Sequence, residues 1–92
     1  MNNDHTKPSM NQDIFNLGLS VETISVYLLC CGLTDQGAVV STKNLLGVWN
    51  GSPEALYEGI KNLEERNILL KIISDGEDKN VFKLTDIKSW KP

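Results

Sequence analysis

Apolar residues recur along this chain at helical spacing in three stretches, and capping or turn residues bound each stretch. The first stretch has apolar members three and four positions apart: Val21, Ile24, Leu28 and Cys31. Such spacing places them on one face of an α-helix. Ser20 can cap the start of this helix and Gly32 can cap its end, so the pattern predicts a first helix over residues 21–31.

A short second helix is predicted over the next apolar run, whose members are Leu45, Leu46, Val48 and Trp49. Either Ser41 or Thr42 can cap its start. The Asn50-Gly51 pair that follows is a tight-turn signal, so we expect the chain to reverse there.

The third helix has the clearest start signal in the chain. Ser52 supplies a cap, Pro53 occupies the first helical position and Glu54 places a carboxylate in the first turn. The helix is predicted to run to about Arg66, with Asn67 in the left-handed conformation after it. Its expected buried residues are Ala55, Leu56, Ile60 and Leu63. Ala55 and Gly59, four positions apart, indicate that a neighbouring element packs closely against this helix.

Three stretches have strand character: residues 38–40, residues 69–74 and residues 81–85. The last two are separated by a polar loop, residues 75–80, that contains an Asp-Gly turn pair and has hairpin length. The predicted order is therefore helix, short strand, helix, turn, helix, hairpin, which is an α+β fold.

Composition fits a single small domain. The 92 residues are 40% hydrophobic and 23% charged, with twelve acidic and nine basic residues, a formal charge of -3 and a pI near 5.0. Residues 1–13 are polar and predict a disordered tail, which leaves residues 14–92 as the domain. No apolar run approaches a membrane span and the N-terminus lacks the pattern of a signal peptide, so we expect a cytoplasmic protein.

The sequence offers little for catalysis or metal binding. Its two cysteines, Cys30 and Cys31, are adjacent, and its one histidine, His5, lies in the polar tail. A zinc site needs more ligands than these, and no second histidine is available as a base for a nucleophile. We therefore predict no enzymatic activity, no cofactor and no metal, with one cysteine packed in the core and the other near the surface.

The order of elements resembles the winged helix-turn-helix, in which a helix pair is followed by a β-hairpin wing. Residues 52–69 (SPEALYEGIKNLEERNIL) look like the recognition helix of that family and its exit, with Asn67 in place of the usual glycine. Upstream, Leu17-Gly18-Leu19-Ser20 with Val26-Tyr27-Leu28 is similar to a narrower group: the helix-turn-helix domains of bacterial replication initiators, DnaD-like proteins and small regulators of mobile elements. That group usually begins its second helix with Pro-Ser, where this chain has Val40-Ser41.

This resemblance implies binding of double-stranded DNA, with the third helix in the major groove. The residues placed at base edges are Ser52, Pro53, Glu54, Tyr57, Glu58 and Lys61. Lys43 would meet phosphate, and Lys79 in the wing would reach the backbone or the minor groove. The implied function is that of a transcriptional regulator or replication-associated factor, acting as a homodimer.

Charge at these positions favours a second hypothesis. Glu58 stands where the family often has a basic residue, and Glu54 precedes it by one turn on the same face. Acidic residues are repelled by phosphate, which keeps open the alternative that this winged helix is a protein–protein interaction module, an adaptor or an inhibitor.

The sequence also predicts where four aromatic side chains lie. Tyr27 is predicted to be a core residue with its hydroxyl at the edge, and Trp49 to be core beneath the helix-turn-helix corner. Tyr57 is assigned equally to contact with a partner and to plain surface exposure. Trp90 is expected to fold back onto the hairpin.

Overall fold

Three α-helices and a small antiparallel sheet form the described part of the chain, residues 9–74 and 79–91 of a computed structural model. The elements are, in order, a 3-10 helix Gln12–Asn16, α1 Val21–Asp35, β1 Val40–Ser41, α2 Thr42–Val48, α3 Pro53–Glu65, β2 Leu69–Ile73, β3 Val81–Leu84 and a 3-10 helix Ile87–Ser89. The predicted α+β class and the predicted order of elements are confirmed. The first 3-10 helix was not predicted.

Serine caps start all three α-helices. The side-chain oxygen of Ser20 accepts from the Thr23 amide at 3.1 Å, and Ser41 and Ser52 accept in the same way at the starts of α2 and α3. Each cap satisfies an amide that the helix itself leaves without a partner. After α3, Asn67 has φ 58°, the left-handed conformation that its sequence position predicted.

The first helix extends beyond its predicted end. Gly32 lies inside α1, and the helix ends instead at Asp35, two residues before Gly37, which has φ 77°. There the Gly37 amide donates to the Thr34 carbonyl at 3.0 Å and the Ala38 amide to the Leu33 carbonyl at 2.8 Å. This pair of bonds is a Schellman motif, and it satisfies the last carbonyls of α1 four residues later than expected.

The predicted buried face of α1 is wrong at two positions. Val21 is 77% exposed and Leu28 is 41% exposed, whereas the residues of α1 that are buried are Thr23, Val26, Tyr27, Cys30 and Cys31. Apolar residues surround this helix on nearly every side, so their spacing did not single out one face. Both cysteines are in the core, which corrects the prediction that one of them lies near the surface.

The sheet has the strand order β1-β3-β2, with both neighbouring pairs antiparallel. Val40 pairs with Phe82 and Leu69 pairs with Leu84, and these positions point toward the helices. A β-bulge interrupts the β2–β3 pairing between Lys71 and Ile73. The predicted hairpin is therefore confirmed in its strands, while residues 75–78 of its loop lie outside the described residues.

Helices α1 and α3 cross closely at Gly59. A Cβ atom added there would lie 2.7 Å from Val26 Cγ2, which confirms the expected close approach. Beside this crossing, Asn62 Nδ2 donates to Thr23 Oγ1 at 3.0 Å. The third helix thus presents Leu56, Ile60 and Leu63 to the core, with Ala55 only half-buried.

Defined contacts begin earlier than the predicted domain boundary at residue 14. Ser9 donates to Asp35 Oδ1 from both its amide and its hydroxyl, and the Asn11 amide donates to the Tyr27 hydroxyl at 2.9 Å. These bonds connect Ser9 and Asn11, which belong to the predicted tail, to α1. Residues 1–8 lie outside the described residues.

The C-terminal segment contacts α1 through Trp90, which also packs against the core cluster that includes Leu69 and Phe82 of the hairpin. The Trp90 ring meets the Tyr27 ring edge-on, with centroids 5.8 Å apart and planes at 86°. The Lys91 amide donates to the Arg66 carbonyl at 2.7 Å, which directs the chain across the end of α3. Tyr27 is a core residue, as predicted, and Trp90 covers it.

Candidate nucleic-acid interface

The exposed side of α3 carries the predicted base-edge residues in one stripe. Glu54 lies three and four residues before Tyr57 and Glu58, and Lys61 lies four and three residues after them; all four are exposed. They share a face because the opposite side of the helix is buried in the core. We call these four residues the α3 stripe.

The turn before α3 is held by Trp49. Its indole Nε1 donates to the Ser52 carbonyl at 2.8 Å, and its ring lies so close to Gly51 that a Cβ there would be 3.0 Å from Nε1. Trp49 is half-buried and packs against the core, in agreement with its predicted position. The first turn of α3 therefore has a fixed position relative to α2.

Two further predicted residues lie at the start of this helix. Ser52 and Pro53 are both exposed, but the Ser52 hydroxyl oxygen already accepts from the Ala55 amide at 3.2 Å. Ser52 retains its hydroxyl proton as a donor. Pro53 has no amide hydrogen to offer, so its contribution is to fix the start of the helix.

The structure brings the chain segments of Lys43 and Lys79 together. The Thr42 amide donates to the Asn80 carbonyl at 3.0 Å, so the first turn of α2 lies against the residues that lead into β3. Lys43 follows Thr42, Lys79 precedes Asn80, and both lysines are exposed. The two cations predicted to meet phosphate thus belong to adjoining chain segments.

Charge is distributed unevenly over the chain. Residues 9–65, which hold the helices, carry seven acidic residues and two lysines, Lys43 and Lys61. Residues 66–92 carry six basic and four acidic residues. The α3 stripe carries two carboxylates, Glu54 and Glu58, and one ammonium group, Lys61. Carboxylates accept hydrogen bonds from the amino group of cytosine but cannot make the bidentate contact that arginine makes with guanine.

The buried thiols are unreactive. Burial raises the pKa of Cys30 to about 12 and that of Cys31 to about 11, so both remain protonated near neutral pH. Burial also raises the pKa of the Tyr27 hydroxyl. Within residues 9–74 and 79–91, no three His, Cys, Asp or Glu side chains gather as metal ligands. No helix in these ranges is long and apolar enough to cross a bilayer.

A second surface was not anticipated as a site. The side of the sheet that points away from the helices, here called the outer face, is formed by Val39, Leu70, Ile72, Ile73, Val81 and Lys83. Leu70, Ile72 and Ile73 are each about half exposed. The sequence held a signal for it: residues 68–73 are apolar except for Lys71, whereas a strand with one solvated face alternates.

Comparison with known proteins finds no match among family models, curated proteins or solved structures.

Proposed function

We propose that this chain is a winged helix-turn-helix protein that binds double-stranded DNA, as a transcriptional regulator or a replication-associated factor. The supporting observation is the exposed stripe on α3, which follows a tight turn after α2 and precedes the β2–β3 hairpin. In a winged helix, that helix enters the major groove and the hairpin forms the wing. The strand order β1-β3-β2, with β1 between the first two helices, is compatible with this fold.

Each residue of the α3 stripe has a distinct role in this proposal. Lys61 donates to guanine or to a phosphate, and Tyr57 contacts a base with its ring edge. Glu54 and Glu58 accept from cytosine amino groups and repel phosphate, so they narrow the set of tolerated sequences. Ser52 donates from its hydroxyl at the start of the helix, and Pro53 fixes the position of that start.

Further phosphate contacts come from lysines outside the stripe. Lys43 and Lys79 lie on the adjoining segments at the starts of α2 and β3, where a DNA backbone following the groove would pass. With so few cations, binding depends weakly on salt, because each neutralised phosphate contributes a slope of about -0.9 in log K against log salt.

Fluorescence anisotropy with labelled duplexes tests this proposal. Duplexes from the region upstream of the protein's own gene and unrelated duplexes are titrated at low and physiological salt. We expect tighter binding to the former, and Lys61→Ala to weaken it by about 1–3 kcal/mol. Lys88→Ala is the matched control, since Lys88 is an exposed lysine of the C-terminal segment. Absence of binding to every duplex at low salt contradicts the proposal.

The acidity of the α3 stripe favours one alternative, a protein–protein interaction module. In that case the stripe faces a basic surface of a partner instead of a groove lined by phosphates. A co-purified partner should then be lost from Tyr57→Ala and Glu58→Lys variants and retained by Val21→Ala, which changes an exposed residue of α1. Retention by all three variants rules the stripe out as the contact.

A further inference from the structure

The outer face of the sheet is apolar where an antiparallel sheet normally carries polar residues. In the register of the strands, Leu70 lies opposite Lys83, and Ile73 lies opposite Val81. On the other side of β3, Ser41 of β1 lies opposite Val81, and Val39 comes just before β1. Both rows of the outer face are therefore largely apolar, with Lys83 as their charged member. Contiguous exposed apolar surface of this kind marks an interaction site.

A groove of about 670 Å³ runs along β1 and β3 at this face and reaches the end of α1. Val39, Ile72 and Val81 are among the residues that line it, and Lys83 and Asp86 are the charged ones among its described lining residues. One cation and one anion leave the groove without net charge. It therefore has no electrostatic attraction for phosphate or for a strongly charged partner.

We propose that two copies of this chain associate through the outer face. A two-fold axis brings the same patch of each copy together, so a patch that contains both an anion and a cation can complement itself. Lys83 of one copy then meets Asp86 of the other, twice over, and the apolar residues of the two sheets pack face to face. Stacked sheets lie about 10 Å apart, close enough for such side chains to interdigitate.

Ser9 is among the residues that line the groove, and the sequence shortly before it, residues 2–7, is polar and could supply little apolar cover. Helix α3 packs on the inner side of the sheet, so face-to-face association leaves the α3 stripe open. Dimerisation and DNA binding are thus separate properties, and either can fail without the other.

The size of the groove indicates how tightly two copies should associate. Thirteen residues of the described part of the chain line the groove, while about 20–30 residues a side is usual for a stable interface. We therefore expect a reversible dimer with a dissociation constant in the micromolar range.

Sedimentation equilibrium of the full chain, from about 5 to about 500 μM, measures this. The apparent mass should rise from 10.2 kDa toward twice that value. Ile72→Lys should raise the dissociation constant at least about tenfold, because it buries an ammonium group in an apolar contact. Val48→Lys is the matched control: Val48 and Ile72 are both 51% exposed, but Val48 ends α2. A monomer at every concentration, or a dimer that Ile72→Lys leaves unchanged, overturns the proposal.

A charge exchange tests the two-fold pairing itself. Lys83→Glu alone places two carboxylates opposite each other, and Asp86→Lys alone places two ammonium groups opposite each other, so each variant should be monomeric. An equimolar mixture should form a heterodimer, because the opposite charges then meet at both positions. Circular dichroism confirms that each variant is folded, since Asp86 also caps the 3-10 helix that follows it. A mixture that remains monomeric overturns the pairing.

Discussion

Gly59 is the residue on which the packing of α1 against α3 most directly depends. Its missing side chain allows Val26 to approach to a distance that no Cβ atom could tolerate. Val26 is fully buried, so it has no room to move away. Glycine inside a helix is otherwise unfavourable by about 0.5–1 kcal/mol, and here the close crossing of the two helices offsets that cost.

We predict that Gly59→Ala lowers the free energy of unfolding by about 1–2 kcal/mol, because the overpacking outweighs the higher helix propensity of alanine. Urea denaturation followed by circular dichroism measures the change. Gly47→Ala is the control: no atom lies within 4 Å of a Cβ at that position in α2, so it should stabilise slightly. Equal stability of the two variants would show that the two helices are not tightly packed at Gly59.

At the scale of elements, local signals in the sequence located most boundaries. Ser20, Ser52, Pro53 and Asn67 each act within one turn of the chain, and the structure places them as predicted; of the two caps offered for α2, Ser41 is the one used. The end of α1 was missed because Gly32 and Gly37 are both possible terminators. The choice of Gly37 depends on bonds that only the folded chain reveals.

It was harder to predict which face of a helix is buried than where the helix begins and ends. In α1, the spacing of Val21 and Leu28 suggested burial, but the core is formed by Val26 and Tyr27 on a different side of the helix. Which side of an apolar helix is buried depends on its neighbours, α3 and the C-terminal segment. The stripe on α3 was predictable, since that helix has one apolar face and its remaining positions are polar.

The C-terminal segment acts as a structural element although it contains only one short 3-10 helix. Trp90 packs edge-on against Tyr27, and Lys91 bonds to the end of α3. We predict that Trp90→Ala lowers the free energy of unfolding by about 1–3 kcal/mol, because an edge-on aromatic pair and apolar burial are lost. Thermal unfolding measures the effect. Ile87→Ala, a change at an exposed residue of the same segment, should have a small effect; a Trp90→Ala variant as stable as this control contradicts the packing role.

At the scale of the whole molecule, the distribution of charge matters more than the net charge of -3. The helices carry most of the excess acid, and part of it lies on the α3 stripe. DNA binding through this face therefore requires that Glu54 and Glu58 contribute selectivity while limiting affinity. In the proposed complex, the fold gives the α3 face the shape to enter a groove of DNA, and the acidic residues keep the electrostatic affinity for DNA low.

The most direct test of the central claim is the salt dependence of DNA binding by Glu58→Arg, compared with Glu22→Arg. Both variants make the same change in net charge at an exposed glutamate, but Glu22 lies in the first turn of α1. If α3 faces DNA, Glu58→Arg should bind more tightly and steepen the slope of log K against log salt by about one unit, because the new arginine neutralises one more phosphate. Glu22→Arg should leave the slope as in the wild type. Equal slopes for both variants and the wild type would show that α3 is not the DNA-binding surface.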